Sequence, residues 1–163
     1  MAGRYDARPA NVSDLPMLRV WIAAPHIARW WGEDDPFSAD ELGDPQFRPW
    51  IVSLDGQPFA YLQDYEVGAW PGHHFGHLPA GARGIDQFIG VPEMIGKGHG
   101  TLFIAQHRDA LFAAGAPVIA TDPHPDNAHA IAVYRKHGFV ETGAPRQSDW
   151  GIILPMEARR QGP

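Results

Sequence analysis

Apolar residues recur at helical spacing in a few stretches and cluster or alternate in several shorter ones. Leu15, Leu18, Trp21 and Ile22 mark a first helix, with Asn11 or Ser13 placed to cap it. Residues 102–114 form a second apolar helical run. A third helix is predicted over residues 127–137, where Arg135, Lys136 and His137 are followed by Gly138, a well-formed C-terminal stop. Between them lie strand-like segments at 4–8 (ended by Pro9), 49–54, 59–67, 118–122, 139–142 and 152–156, and one strand carrying Asp86. Asp55-Gly56 joins the second and third as a hairpin turn. Residues 33–45 read as a loop with a short helical turn near Ser38, 68–81 as an exposed flap, and 157–163 as a loose tail. The pattern predicts a mixed α/β chain, residues 1–163 forming a single domain.

Two aromatic positions change that picture. Trp30 and Trp31 are adjacent, so a regular helix cannot turn both toward one core. Either one lines a cleft or a partner surface, or both pack in an irregular corner. On the strand at 59–67, Gln63 and Tyr65 share a face by alternation.

Composition narrows the class. The 163 residues are 44% hydrophobic and 20% charged, which suits a globular chain with a real core. Nothing approaches the run of about 18 apolar residues that a membrane span needs, and residues 1–10 lack an apolar leader core. The absence of cysteine excludes disulfides, thiolate metal sites and a cysteine nucleophile. The expected location is cytoplasmic. A net charge of −6 argues against a nucleic-acid partner and suits a cationic small molecule.

The most informative stretch is 82–101. A strand with one carboxylate, Asp86, leads through a short loop to Gly96, Gly98 and Gly100, and the apolar helix follows directly. Closely spaced glycines at a helix entrance either hold an anion on backbone N–H groups or simply supply positive φ angles. Gly98-His99-Gly100-Thr101 lacks the Gly-Lys-Ser/Thr ending of a nucleotide-binding P-loop. In the flap, His73, His74 and His77 invite a metal, but no carboxylate within the segment completes a ligand set, so no metal is expected and the cluster reads as surface or substrate-lining histidines.

A glycine loop opening a helix, then a strand, then Asn127-Ala128-His129-Ala130-Ile131-Ala132-Val133-Tyr134 and Gly138-Phe139 resembles the GNAT acetyltransferase superfamily. Within it the chain is most similar to the aminoglycoside 6′-N-acetyltransferases, through His26-Ile27, Trp30-Trp31-Gly32, Gln63 and Tyr65, Arg83-Gly84-Ile85-Asp86-Gln87 and Thr121-Asp122-Pro123. The likeness spans about residues 10–156. It departs at Ile95, where many members carry Gln or Arg, and in the flap, where those enzymes carry acidic and tryptophan residues and this chain reads Pro71-Gly72-His73-His74-Phe75-Gly76-His77.

The resemblance implies the GNAT fold: a central, twisted, mostly antiparallel sheet with a parallel pair splayed at the cofactor site, flanked by helices. It implies acetyl-coenzyme A as cosubstrate. The backbone of Gly96, Lys97, Gly98, His99, Gly100 and Thr101 would hold its diphosphate, with main-chain groups near Phe88 and Ile89 on the pantetheine and carbonyl, and Asn127 contacting the coenzyme. Tyr134, two helical turns beyond Asn127, would protonate the departing sulfur. Asp86 would take the acceptor's proton, directly or through water. Asp86 and Asp122 would bind its ammonium, with Gln63, Tyr65 and Trp31 as substrate wall. For Asp122 the alternative is turn capping before Pro123, and for Tyr134 a merely packed aromatic. The expected reaction is acetylation of a primary amine on a cationic small molecule, the 6′-amine of an aminoglycoside among the candidates. The competing readings are acylation of a hydroxylysine or polyamine siderophore precursor, favoured by the less acidic flap, and a non-catalytic coenzyme A sensor. The chain would act as a monomer or homodimer.

Overall fold

A computed structural model describes residues 4–32 and 36–160, apart from the side chains of Glu41 and Thr101. Among the described residues it contains strands β1 (Tyr5–Pro9), β2 (Phe47–Leu54), β3 (Gln57–Glu66), β4 (Arg83–Ile89), β5 (Val118–Thr121), β6 (Val140–Glu141), β7 (Arg146–Ser148), β8 (Gly151–Ile153) and β9 (Met156–Arg159). The helices are α1 (Leu15–Ile22), α2 (Pro25–Trp31), α3 (His99–Ala113) and α4 (Ala128–Lys136). Seven strands are hydrogen-bonded in the order β1-β2-β3-β4-β5-β9-β6, and β7 pairs with β8 separately. β4 runs parallel to β5, whereas the β1–β2, β5–β9 and β6–β9 pairs are antiparallel, the mixed arrangement expected. No described helix is long and apolar enough to cross a membrane.

The contacts divide the chain into two compact units, residues 1–64 with 87–100 and residues 65–86 with 101–163. In the first, Asn11 opens the helical region: its side chain accepts from Ser13 N–H at 2.9 Å, and the Asp14 side chain accepts in turn from Asn11 N–H at 2.8 Å. The Arg8 guanidinium grips the same Asp14 at 2.7 and 2.8 Å and holds its carboxyl below the usual carboxylate range. α1 then buries the four apolar positions expected, Leu15, Leu18, Trp21 and Ile22, against Ile27, Ile51, Tyr61 and Phe88. The β2–β3 hairpin turns on Asp55 (φ 51°) and Gly56 (φ 81°), the mirror-image turn that Asp-Gly favours. Ser38 caps the short turn at Ala39–Glu41; the loop residues 33–35 lie outside the described ones.

In the second unit β5 is buried throughout, and α3 sends Phe103, Ile104 and Leu111 into the interior. α4 ends as predicted, with Gly138 at φ 86°. Three expectations need correcting. The flap at 68–81 is not simply exposed: Phe75 is buried, and His74 and Leu78 nearly so. Residues 157–159 are not tail but the body of β9, which pairs with β5 on one side and β6 on the other and buries Glu157; residues 161–163 lie outside the described ones. The β7–β8 hairpin is absent from the sequence-based reading, because three-residue strands carry too little periodicity to register.

Candidate active site

In the first unit, the loop before α3 has the geometry its glycines suggest. Gly96 and Gly98 hold φ 78° and 83°, a region that side-chain-bearing residues avoid, and α3 begins at His99. The first-turn N–H groups of a helix have no intrahelical acceptor, so this entrance is chemically suited to a diphosphate. Lys97 is exposed beside it, and Gly100 already lies in the helix, with ordinary room for a methyl group. The backbone of Thr101 continues α3, while its side chain lies outside the described ones. His99 turns inward: Nδ1 meets Tyr5 Oη at 3.0 Å and the ring stands edge-on to Phe59 at 5.7 Å. The ring fastens the loop rather than facing a ligand, leaving the backbone for that task.

Other predicted positions in this unit are committed to packing. The Phe88 ring stacks on Tyr61 at 5.2 Å and meets Trp31 edge-on at 5.1 Å, so only its main chain is left for a ligand. Ile89 C=O accepts from His26 Nε2 at 3.0 Å. Trp31 packs half-buried on Phe88 and Tyr61, while Trp30 lies under the Arg29 guanidinium at 4.5 Å; the two tryptophans do part company. Gln63 accepts from Tyr61 Oη at 2.9 Å.

The second unit gathers the titratable residues. β4 and β5 are paired at Arg83↔Ile119 and Gly84↔Ala120. Just beyond, Thr121 Oγ1 donates to Ile85 C=O at 3.1 Å. Because the strands run parallel, Asp86 and Asp122 lie at matching positions just beyond the paired residues, both half-buried and close enough for their side chains to interact. Burial raises Asp122 to about 6.

Tyr65 sits on β3 with its ring against Gly84, where an added Cβ would lie 2.6 Å from both Cε2 and Oη. Burial first, and then the charges of Asp86, Asp122 and Tyr134, push its phenol well above the usual range. Tyr134 is buried beside Phe139 on α4. Asn127 caps α4 through a 3.2 Å bond from Ala130 N–H, so its carbonyl oxygen is engaged locally. Asp122, expected to bind the ammonium with turn capping as the alternative, faces His74: Nε2 to Oδ2 is 2.8 Å.

That histidine is what sequence reasoning missed. His74 stacks on His73 at 4.1 Å, and the exposed Trp150 at the β7–β8 turn covers both rings at 5.2 and 5.8 Å. Burial lowers His73 to about 4, and burial followed by the Arg146 charge lowers His74. The histidine cluster is plain in the sequence, but its carboxylate lies 48 positions away on another strand. Among the described residues no group of three His, Asp or Glu side chains is arranged to hold a metal.

Comparison with known proteins agrees with this architecture. The family model for the acetyltransferase (GNAT) domain matches residues 11–145. The chain belongs to the GNAT acetyltransferase family. Its relatives include the aminoglycoside N(6′)-acetyltransferase type 1 of Klebsiella pneumoniae, 33% identical over 159 residues that cover 90% of this chain and 79% of the relative. Among solved structures, AAC(6′)-Ib in complex with paromomycin and acetyl-coenzyme A superposes with a TM-score of 0.85 at 32% identity, covering 96% of this chain and 93% of the other. The same enzyme with coenzyme A and kanamycin gives 0.85 at 31% identity, over 96% and 95%. As a GNAT protein the chain is an acetyltransferase.

Proposed function

We propose that the chain transfers the acetyl group of acetyl-coenzyme A to a primary amine of a cationic small molecule, the 6′-amine of an aminoglycoside, residues 1–163 acting as one cytoplasmic domain, monomeric or homodimeric. The observation that carries the acceptor side is the half-buried Asp86–Asp122 pair just beyond the paired residues of the parallel strands, with Tyr65 and Tyr134 nearby. Likeness to enzymes named for aminoglycoside acetylation and solved with both ligands supports the substrate class.

Acetyl-coenzyme A, when bound, supplies an activated thioester. The positive-φ glycines at 96 and 98 and the first-turn N–H groups of the α3 entrance fit its diphosphate, Lys97 adds charge, and the main chain at Phe88 and Ile89 is the proposed contact for its pantetheine arm. Asp86 and Asp122 hold the acceptor as an ammonium ion. Asp86 then accepts a proton, which frees the nitrogen lone pair. A carboxylate is a weak base for an alkylammonium, so its main service is to position and desolvate the amine. Tyr134 gives its phenolic proton to the departing sulfur. Trp31, Gln63 and Tyr65 are proposed to wall the acceptor, Asn127 to touch the coenzyme through its amide NH₂.

A second reading, an acceptor with fewer positive charges such as hydroxylysine, draws on Arg146, which lines a cavity next to His74. Thiol release from acetyl-coenzyme A decides between them, using kanamycin-type compounds with and without the 6′-amine, hydroxylysine and polyamines. Turnover confined to acceptors bearing the 6′-amine is expected. No thiol release with any amine, from protein shown to be folded, overturns the function.

A further inference from the structure

In the first unit, the last peptide of β4 is held by three neighbours. Gly90 N–H donates to Phe59 C=O at 2.8 Å, and Val91 N–H reaches the same oxygen at 3.3 Å. Two residues oppose one, so β4 closes on a bulge. Gly90 lies so close to Trp21 that a Cβ there would stand 2.1 Å from Cδ2 of the indole. From α2, His26 Nε2 meets Ile89 C=O at 3.0 Å. A carbonyl oxygen only accepts, so Nε2 carries the hydrogen. Pro25 starts that helix, and the next residue, Ile27, is buried with Trp21 and Phe88, which fixes the turn that presents His26.

The directions of these bonds decide what Ile89 can do. The Ile89–Gly90 peptide is planar and trans, so its C=O points opposite to its N–H. The N–H faces Phe59 on β3, and the C=O therefore faces the edge of β4 turned away from β3. In an extended strand the N–H and C=O of one residue leave on the same side, so Ile89 N–H shares that edge. The Ile89 side chain also borders the α3 entrance: a Cβ on Gly100 would lie 3.5 Å from Ile89 Cδ1. Ile89 thus stands beside the glycine loop with its carbonyl taken by His26 and its N–H as the donor on that edge.

We propose that His26 is a positioning residue for acetyl transfer: by holding Ile89 C=O it fixes the Ile89–Gly90 peptide and keeps Ile89 N–H directed at the thioester carbonyl oxygen of acetyl-coenzyme A. The proposal rests on the acetyl-transfer reading above. Negative charge builds on that oxygen as the amine attacks, and a donor stabilises it best when it need not be reoriented at that moment. The Phe59 bond restrains the peptide from the β3 side, and the His26 bond restrains it from the opposite one. His26 also takes an acceptor that a pantetheine amide would otherwise use, so the task left to Ile89 on this edge is donation.

The test compares wild type with His26→Ala and with His26→Gln, whose amide can donate in place of the ring. His26→Ala should lower kcat by about tenfold while the Kd for acetyl-coenzyme A stays within about threefold, and His26→Gln should recover much of the loss. Wild-type kcat in His26→Ala, turnover and binding lost in equal measure, or a His26→Gln no better than His26→Ala overturns the role. NMR gives readouts that need neither turnover nor a stable variant. In unliganded wild type the His26 ring should carry its hydrogen on Nε2, and the Ile89 amide proton should shift more with acetyl-coenzyme A than with coenzyme A, which lacks the thioester carbonyl. A ring hydrogen on Nδ1 alone, or an Ile89 amide that answers both ligands alike, overturns the proposal. Should wild type acetylate no amine, the transfer reading falls, and the ring hydrogen still decides the His26–Ile89 bond.

Discussion

Gly84→Ala is the most specific structural perturbation available. Gly84 lies on β4 under the Tyr65 ring, and a Cβ there would stand 2.6 Å from Cε2 and Oη and closer still to Cζ. Ordinary carbon contacts lie near 3.5 Å or beyond, so the buried ring must move by about 1 Å. Overpacking of this kind costs about 3 kcal/mol at the upper end of its range. Ala also gains about 0.5–1 kcal/mol over Gly in a strand. The net loss is about 2 kcal/mol, a drop of about 4–8 °C in Tm for a chain of this size. Because Tyr65 adjoins Asp86 and Asp122, the displacement should also lower kcat by about ten- to a hundredfold. Thermal unfolding of Gly84→Ala in wild-type and Tyr65→Leu backgrounds isolates the cause. With the ring gone, the Gly84→Ala substitution should cost almost nothing. An equal loss in both backgrounds, or no loss in either, refutes the contact.

Two further outcomes follow from the site. Asp122 is raised from 3.8 to about 6, so between those values the folded chain binds more protons than the unfolded chain, and stability falls as pH rises through the window. The cost reaches about 3 kcal/mol above pH 6. Wild type minus Asp122→Asn in urea unfolding should therefore become less favourable from pH 4 to 7, and a flat or opposite difference contradicts the burial argument. Tyr5→Phe removes the hydroxyl that holds His99 at the α3 entrance; acetyl-coenzyme A affinity should weaken about two- to tenfold by calorimetry, and an unchanged Kd shows that the loop needs no such fastening.

How much of this was written in the sequence depends on the distance over which each feature is decided. The four buried positions of α1, the Asp55-Gly56 turn and the Gly138 stop are local, and spacing or a single φ requirement reveals them. The pairing of Asp86 with Asp122 was legible only because parallel strands bring equivalent ends together. His74 was not, since its role depends on a carboxylate from another strand and on a buried flap that glycine and proline content makes look exposed. The Glu157-Ala158-Arg159 stretch looked solvated for a related reason: β9 is flanked by β5 and β6, and Glu157 is buried with its charge met by Arg159. Gly84 carries no signal at all, because the need for a missing Cβ arises from one ring on a neighbouring strand.

The most direct test of the central claim, an amine held and deprotonated beside Asp86, is the Asp86→Asn variant assayed for both turnover and acetyl-coenzyme A binding. Turnover with a 6′-amino acceptor should fall by about a hundredfold or more while the Kd for acetyl-coenzyme A stays within about twofold. Undiminished turnover, or binding and turnover lost in equal measure, contradicts it.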